Sequence, residues 1–275
     1  HAARLARVLA LREGEPATST ETMLLVRRLL RGISVPVGSG SDCNFCELNR
    51  EQALGRLALK EADFLFWSIN PQVHATDHLS IMETLEAQAA TVRSARAIGG
   101  RLPLVVSPVT LKQRFNPVAT AAAKPHSPDE LPPEVDARQL SQFAAAWTIG
   151  TLAVLTEAGA ESVTLYETTG WRGVMDGGQA ARHPALFPAR PGVTFPIFDA
   201  LKLLACDRTT TRCSVGWQNE LSGFALFEAQ TPKQFVLANL SPIGRTARWR
   251  GSGAQEALVA LKPYQVICVG PGVGD

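Results

Sequence analysis

Phe64-Leu65-Phe66-Trp67-Ser68-Ile69 is a short apolar run that turns polar at its carboxyl end, Asn70-Pro71-Gln72-Val73-His74-Ala75-Thr76-Asp77. It then gives way to a long helical pattern, His78 to Ile98, with Ile81, Leu85 and Val92 as core positions and Gly99-Gly100 as the stop. An unbroken apolar run of this length reads as a strand buried on both faces, as in a parallel sheet. Strand, polar loop and helix together form the unit from which the fold is read.

The unit recurs in both directions. Upstream, Thr18-Ser19-Thr20 precedes a helix over 20–31 that carries Met23, Leu24, Val26, Leu29 and Leu30 and stops at Gly32. Ile33 to Val37 is the expected next strand, Gly38-Ser39-Gly40-Ser41 a flexible turn, Asp42, Asn44, Glu47 and Asn49 a polar loop, and Arg50 to Glu61 a helix. Downstream, Leu102 to Val106 reads as a strand leading into a loop with Lys112, Arg114 and Asn116 and a proline-rich stretch, Lys124 to Pro133. Residues 137–158 read as helix, and Ser162 to Tyr166 as a fourth strand ending in Glu167-Thr168-Thr169-Gly170-Trp171-Arg172. The opening, with Leu5, Val8 and Leu9, reads as helix, and a start at His1 in place of Met suggests a segment of something longer.

Alternating strands and helices argue for a parallel sheet covered by helices. An open doubly wound sheet would bring a G-x-G-x-x-G or Walker loop after its first strand, and neither motif is there. The expected fold is therefore α/β, the C-terminal half of a (β/α)8 TIM barrel over residues 1–191, with its active site at the carboxyl ends of the strands. After a helical stretch at Ile197 to Leu204, the β-type runs Phe224 to Phe227, Phe235 to Leu240 and Gln265 to Val269 predict a small all-β, sandwich-like domain over 192–275. Half a barrel is expected to leave sheet edges and inner core uncovered, and so to need an upstream half.

Composition narrows the function classes. With 45% hydrophobic and 19% charged residues, the 275-residue chain buries a sizeable core and is not disordered. The net charge is +2, and the basic groups Arg27-Arg28 with Arg31, and Arg245 to Arg250, are short and far apart, so no nucleic-acid partner is expected. No apolar run approaches the roughly 20 residues of a membrane span, and no signal-peptide pattern is present, so no membrane partner is expected. Cys43, Cys46, Cys206, Cys213 and Cys268 are too sparse for a disulfide framework and fit a cytoplasmic protein. Cys43 and Cys46 lack a second ligand pair, so neither metal nor cofactor is expected. The sequence does not fix the oligomeric state.

The candidate chemistry lies after the strands. Glu47 and Glu167 form a candidate acid and base pair, the alternative for each being a loop carboxylate bonded to Arg50 or Arg172. His74 is a candidate proton carrier, and Asp77 stands between it and His78. Asp42, Asn44, Asn49, Asn70, Asp77 and Lys112 are candidate substrate-binding residues, with Trp171 and Arg172 offering an aromatic face and a charged fork to a small polyhydroxylated ligand.

Four segments, Gly40 to Arg50, Ser68 to Asp77, Val106 to Lys112 and Tyr166 to Gly173, resemble in order the D-apionate lactonase family, and the resemblance spans the chain. It implies the later half of a glycosidase-like barrel followed by a carboxyl-terminal β domain. It also implies hydrolysis of D-apionolactone to D-apionate in apiose catabolism, a branch of carbohydrate metabolism. The roles come from chemistry: Glu167 activates water, Glu47 or His74 protonates the leaving oxygen, and Asn49, Asn70 or Arg172 polarises the carbonyl. The rival readings are a retaining glycosidase, with the Glu47 and Glu167 carboxyl groups about 5 to 5.5 Å apart, and a sugar-binding module without turnover.

Overall fold

Five parallel strands lie side by side in the order in which the chain makes them: β1 (Val8–Leu9), β2 (Val37–Ser41), β3 (Phe64–Ile69), β4 (Leu104–Val109) and β5 (Ser162–Leu165). The helices α1 (Thr20–Leu29), α2 (Phe45–Ala53), α3 (His78–Gly99) and α4 (Gln142–Ala158) follow the first four strands in turn. That succession is the one a (β/α)8 barrel repeats around its circumference. The computed structural model describes residues 5–115, 127, 129–178, 183–205, 209–212, 220–228, 231–250 and 256–270. Asn116, Lys124, Cys206 and Cys213 lie outside the described residues. The chain divides into two compact units, one of His1–His74, Glu86–Pro125 and Ala158–Tyr166, the other of Ala75–Leu85, His126–Glu157 and Glu167–Asp275.

In the first unit β3 has the bounds that its sequence predicts, whereas the strand before it is corrected. The strand is not Ile33 to Val37 but Val37–Ser41, so the run expected to turn is itself extended and fully buried. The cause is steric. A Cβ on Gly38 would collide with the Phe64 ring, and one on Gly40 with the Phe66 carbonyl oxygen. Only glycine lets β3 come this close. With no side chain in the way, Phe64 and Phe66 pack with Val105 and Leu9 on one face of the sheet, and the Arg7 guanidinium lies 5.5 Å from the Phe64 ring centre. Phe64 and Phe66 are 3% and 0% exposed, which corrects, for these side chains, the expectation of an uncovered inner core.

The opposite face meets helices. Trp67 donates from Nε1 to Thr91 Oγ1 on α3 at 3.2 Å and stands edge-on to Phe45 of α2, ring centres 5.6 Å apart. Two further expectations are corrected. Val8 and Leu9 form a strand rather than a helix, because Val37 and Gly38 offer them a ladder partner and Gly14 and Pro16 leave too little chain for a stable helix. Helix α2 starts at Phe45 rather than Arg50, directly after Asn44, whose extended backbone makes it the N-cap residue.

In the second unit α4 is buried along most of its length, and Gly150 admits Leu85 and Leu240 against its backbone. Two short strands, β6 (Glu167–Thr169) and β7 (Gly173–Met175), pair with each other, and α5 (Pro196–Leu204) follows. An all-β region comes next. Strands β8 (Thr209–Arg212), β9 (Leu221–Glu228), β10 (Thr231–Asn239) and β13 (Val266–Val269) form an antiparallel sheet in the order β13-β10-β9-β8. Strands β11 (Arg245–Arg250) and β12 (Glu256–Leu261) form an antiparallel pair. Leu221, Leu237, Ala247, Leu261 and Val269 make up their core. Among the described residues no helix is long and apolar enough to cross a membrane.

Candidate active site

At the carboxyl ends of β2, β3 and β4 the first unit holds a shallow, open cleft whose polar lining includes Asp42, Asn44, Asn70, Thr110, Gln113 and Arg114. The local sequence builds it. Ser41 Oγ donates to the Pro16 carbonyl at 2.6 Å and accepts from the Cys43 amide at 3.1 Å, while Ser68 Oγ donates to the Cys43 carbonyl. These bonds pin the turn that carries Asp42 and Asn44.

Asn44 is the N-cap residue of α2, yet its side chain makes no capping bond. Its Oδ1 accepts instead from Asn70 Nδ2 at 3.2 Å. Among the described residues Asn70 Oδ1 is buried without a hydrogen-bond partner, a condition that costs about 1–3 kcal/mol unless water or a ligand supplies the donor. At the same cleft Arg114 Nη2 stands 4.0 Å from Asp42 Oδ2, the two side chains 40% and 21% exposed.

The third wall owes its shape to a bulge in β4. Trp67 and Ile69 pair with Val106 and Val109, which in turn pair with Val163 and Leu165, so β4 carries one residue more than either neighbour. The extra residue falls at Ser107-Pro108, where proline has no N–H to give the ladder. Pro108 and Thr110 line the cleft beyond it, and Gln72 Nε2 donates to the Leu111 carbonyl at 2.6 Å, tying the loops after β3 and β4 together.

Other predicted residues of this unit stand apart from the cleft lining. Glu47 is buried in the first turn of α2, 2.5 Å from Arg50 Nη1, and Asn49 lies exposed on the same helix. His74 is exposed and Lys112 half-buried. Burial, and next the charge of Glu47, pushes the Cys46 thiol up; burial is also the main cause that raises Cys43. Both thiols are free.

In the second unit Asp77 serves its own helix: Oδ1 accepts from the Ser80 amide at 2.9 Å, and that bond holds its carboxyl below the usual range. His78 is engaged in ring packing, 4.4 Å from Phe143 and 5.9 Å from Tyr264 between centres. After β5 the chain turns through Tyr166 at a left-handed φ of 51°, so Glu167 opens the separate strand β6. Glu167 and Arg172 meet twice: Oε1 to Nη2 at 2.6 Å, and the Glu167 amide to the Arg172 carbonyl at 3.1 Å. Trp171 packs beside the cluster of Val135, Phe187 and Phe195. Thr110, Gln113, Arg114 and Phe115 in the cleft had no site role in the sequence, nor did Asp176, 6% exposed and, among the described residues, with Oδ2 unpartnered. Their one signal is position just past a strand. Among the described residues no three His, Cys, Asp or Glu side chains are grouped to hold a metal ion.

Comparison with known proteins adds the family. Residues 16–209 match the family model of the D-apionate lactonase TIM-barrel domain. The protein named D-apionate lactonase from Brucella anthropi is 30% identical over 233 residues, which cover 84% of this chain and 35% of that protein. The chain thus spans about a third of the length of that relative. Among solved structures, a family 51 α-L-arabinofuranosidase from Bifidobacterium longum aligns at 8% identity with a TM-score of 0.54, over 90% of this chain and 61% of that one. A family 39 glycoside hydrolase from Bacteroides cellulosilyticus aligns at 8% identity with a TM-score of 0.54, over 96% and 57%. Those two likenesses show the fold alone: a parallel half-barrel of the glycosidase type, with an all-β region later in the chain. On the family match and the sequence relative together, the chain belongs to the D-apionate lactonase family.

Proposed function

We propose that the protein carrying this chain is a hydrolase that opens D-apionolactone to D-apionate. Family membership and the name of the Brucella relative support a lactone as substrate. The observation that carries the reading is the cleft, where Asn44 and Asn70 leave an unspent amide acceptor beside Asp42 and Arg114, a lining suited to a small polyhydroxylated ring.

The reaction adds a water oxygen to the lactone carbonyl carbon and breaks the acyl–oxygen bond. The ring oxygen leaves as an alkoxide and takes up a proton, and the new carboxylic acid ionises, so each turnover consumes one water and releases one proton. In this reading Glu167, oriented by Arg172, takes the proton from water, and Arg172 polarises the carbonyl. His74 protonates the departing oxygen in preference to Glu47, which is bonded to Arg50. We assign this activity to the whole protein, in the cytoplasm, with an upstream barrel half completing the domain of residues 1–191 and a β domain over 192–275.

The test is a pH-stat assay of the full-length protein against D-apionolactone, other aldonolactones and aryl glycosides. Proton release confined to lactones, and lowered at least about a hundredfold in kcat by Glu167→Gln with a modest change in KM, is the expected result. Near-wild-type turnover in that variant removes Glu167 from the mechanism. Aryl alcohol release with silent lactones makes the protein a glycosidase, and saturable binding without product makes it a binding module.

A further inference from the structure

The lactone is neutral and its ring-opened product is an anion, so a site that handles both must deal with a charge that appears during the reaction. Among the described residues the cleft contains one ion pair, and it is a loose one. Arg114 Nη2 and Asp42 Oδ2 are 4.0 Å apart, well beyond the roughly 2.7–2.9 Å of a charge-assisted hydrogen bond. A guanidinium offers five donors in a planar fork that matches a carboxylate. Among the described residues the one acidic partner within ion-pair distance of Arg114 is Asp42. The fork is therefore largely unspent, 40% exposed at the cleft.

We propose that Arg114 is the carboxylate-binding residue of this cleft and Asp42 its internal competitor, so that the pair sets how tightly the anionic sugar acid is held relative to neutral ligands. This deepens the lactonase reading and rests on it. The carboxylate formed on ring opening displaces Asp42 from the guanidinium and then faces Asp42 as a like charge at close range. Attraction to Arg114 draws the acid in, and repulsion from Asp42 keeps it from staying. Neutral lactone feels neither effect strongly. The pair thus acts on product release, with Asn44 and Asn70 left to read hydroxyl groups common to lactone and acid.

Calorimetry tests this with sodium D-apionate, with a panel of other aldonates, and with apiitol as the uncharged counterpart, on the full-length protein and its Asp42→Asn, Arg114→Gln and Arg114→Lys variants. The readout is the ratio of aldonate to polyol affinity. Asp42→Asn is expected to raise that ratio about tenfold, Arg114→Gln to lower it about tenfold, and Arg114→Lys to fall between wild type and Gln, since lysine keeps the charge without the fork. A ratio unmoved by both Asp42→Asn and Arg114→Gln overturns the proposal, as does failure of the wild-type protein and Asp42→Asn alike to bind an aldonate. Should Arg114→Gln lose its circular-dichroism signature, Asp42→Asn alone decides. The two readings fail separately. Aldonate binding that depends on Arg114 without lactone turnover sinks the lactonase, whereas turnover with charge-blind binding sinks only the subsite.

Discussion

Asn70 donates its side-chain amide to Asn44 at 3.2 Å, and Asn44 is the residue from which α2 starts. The bond diverts a capping side chain from its own helix, a contribution ordinarily worth about 1 kcal/mol. Asn70→Ala should release Asn44 to cap α2, so the melting temperature moves by a few degrees at most, while KM for the lactone rises about tenfold through loss of the cleft acceptor. Steady-state kinetics beside a thermal melt separates the two effects. An unchanged KM would take the amide pair out of ligand binding.

Gly38 and Gly40 admit neighbours of different stiffness. A methyl at Gly38 meets the Phe64 ring, which swings aside at some cost, whereas one at Gly40 meets the Phe66 backbone. Gly38→Ala is expected to destabilise by about 1–3 kcal/mol, as overpacking does, and Gly40→Ala by more. Urea unfolding of the two variants gives the order directly, and equal midpoints would contradict this account of β2.

Asp77 gives α3 a pH-dependent start. Its carboxyl is held below the usual range chiefly by the Ser80 amide, so the ionised cap stabilises the fold above the ordinary aspartate value of about 3.9. That contribution is lost as pH falls through the lower folded value. Asp77→Ala should therefore melt below wild type at pH 7, and the gap should narrow on acidification toward pH ~3. A gap of constant size across that range would mean that the carboxylate does not cap.

Cys46 is exposed yet hard to ionise, because burial of its thiol and the neighbouring Glu47 both disfavour the thiolate. Alkylation by iodoacetamide at pH 8 should be slower than for cysteine in an open peptide. Glu47→Gln should accelerate it by removing the like charge. Mass spectrometry of the labelled protein follows both rates, and a Glu47→Gln variant that reacts no faster than wild type would remove the carboxylate as a cause.

What the sequence made legible was what composition encodes. Phe64 to Ile69 is apolar throughout, and β3 has those bounds. His78 to Gly99 carries its own stop, and α3 ends there. Strand β2 was hidden because Gly-Ser-Gly-Ser expresses a steric fit to Phe64 and Phe66, distant in sequence, rather than any strand propensity. That one misplacement carried the site with it: with the strand ended at Val37, residues 42 to 49 all read as loop. The real helix begins at Phe45, so Asp42 and Asn44 line the cleft while Glu47 and Asn49 ride on α2. Arg114 and Gln113 needed the β4 bulge, and a bulge is a difference between strands that no single strand announces.

The order β13-β10-β9-β8 has a consequence for biosynthesis. Strand β9 can join β8 and β10 can join β9 as each leaves the ribosome, but the far side of β10 has no partner until Val266–Val269 has been made. Through that interval Phe235, Val236, Leu237 and Ala238 present an open apolar edge, with β11 and β12 still to be translated. The nascent chain is then most open to chaperone capture or mispairing in this stretch, and emergence of β13 is the event that ends the exposure.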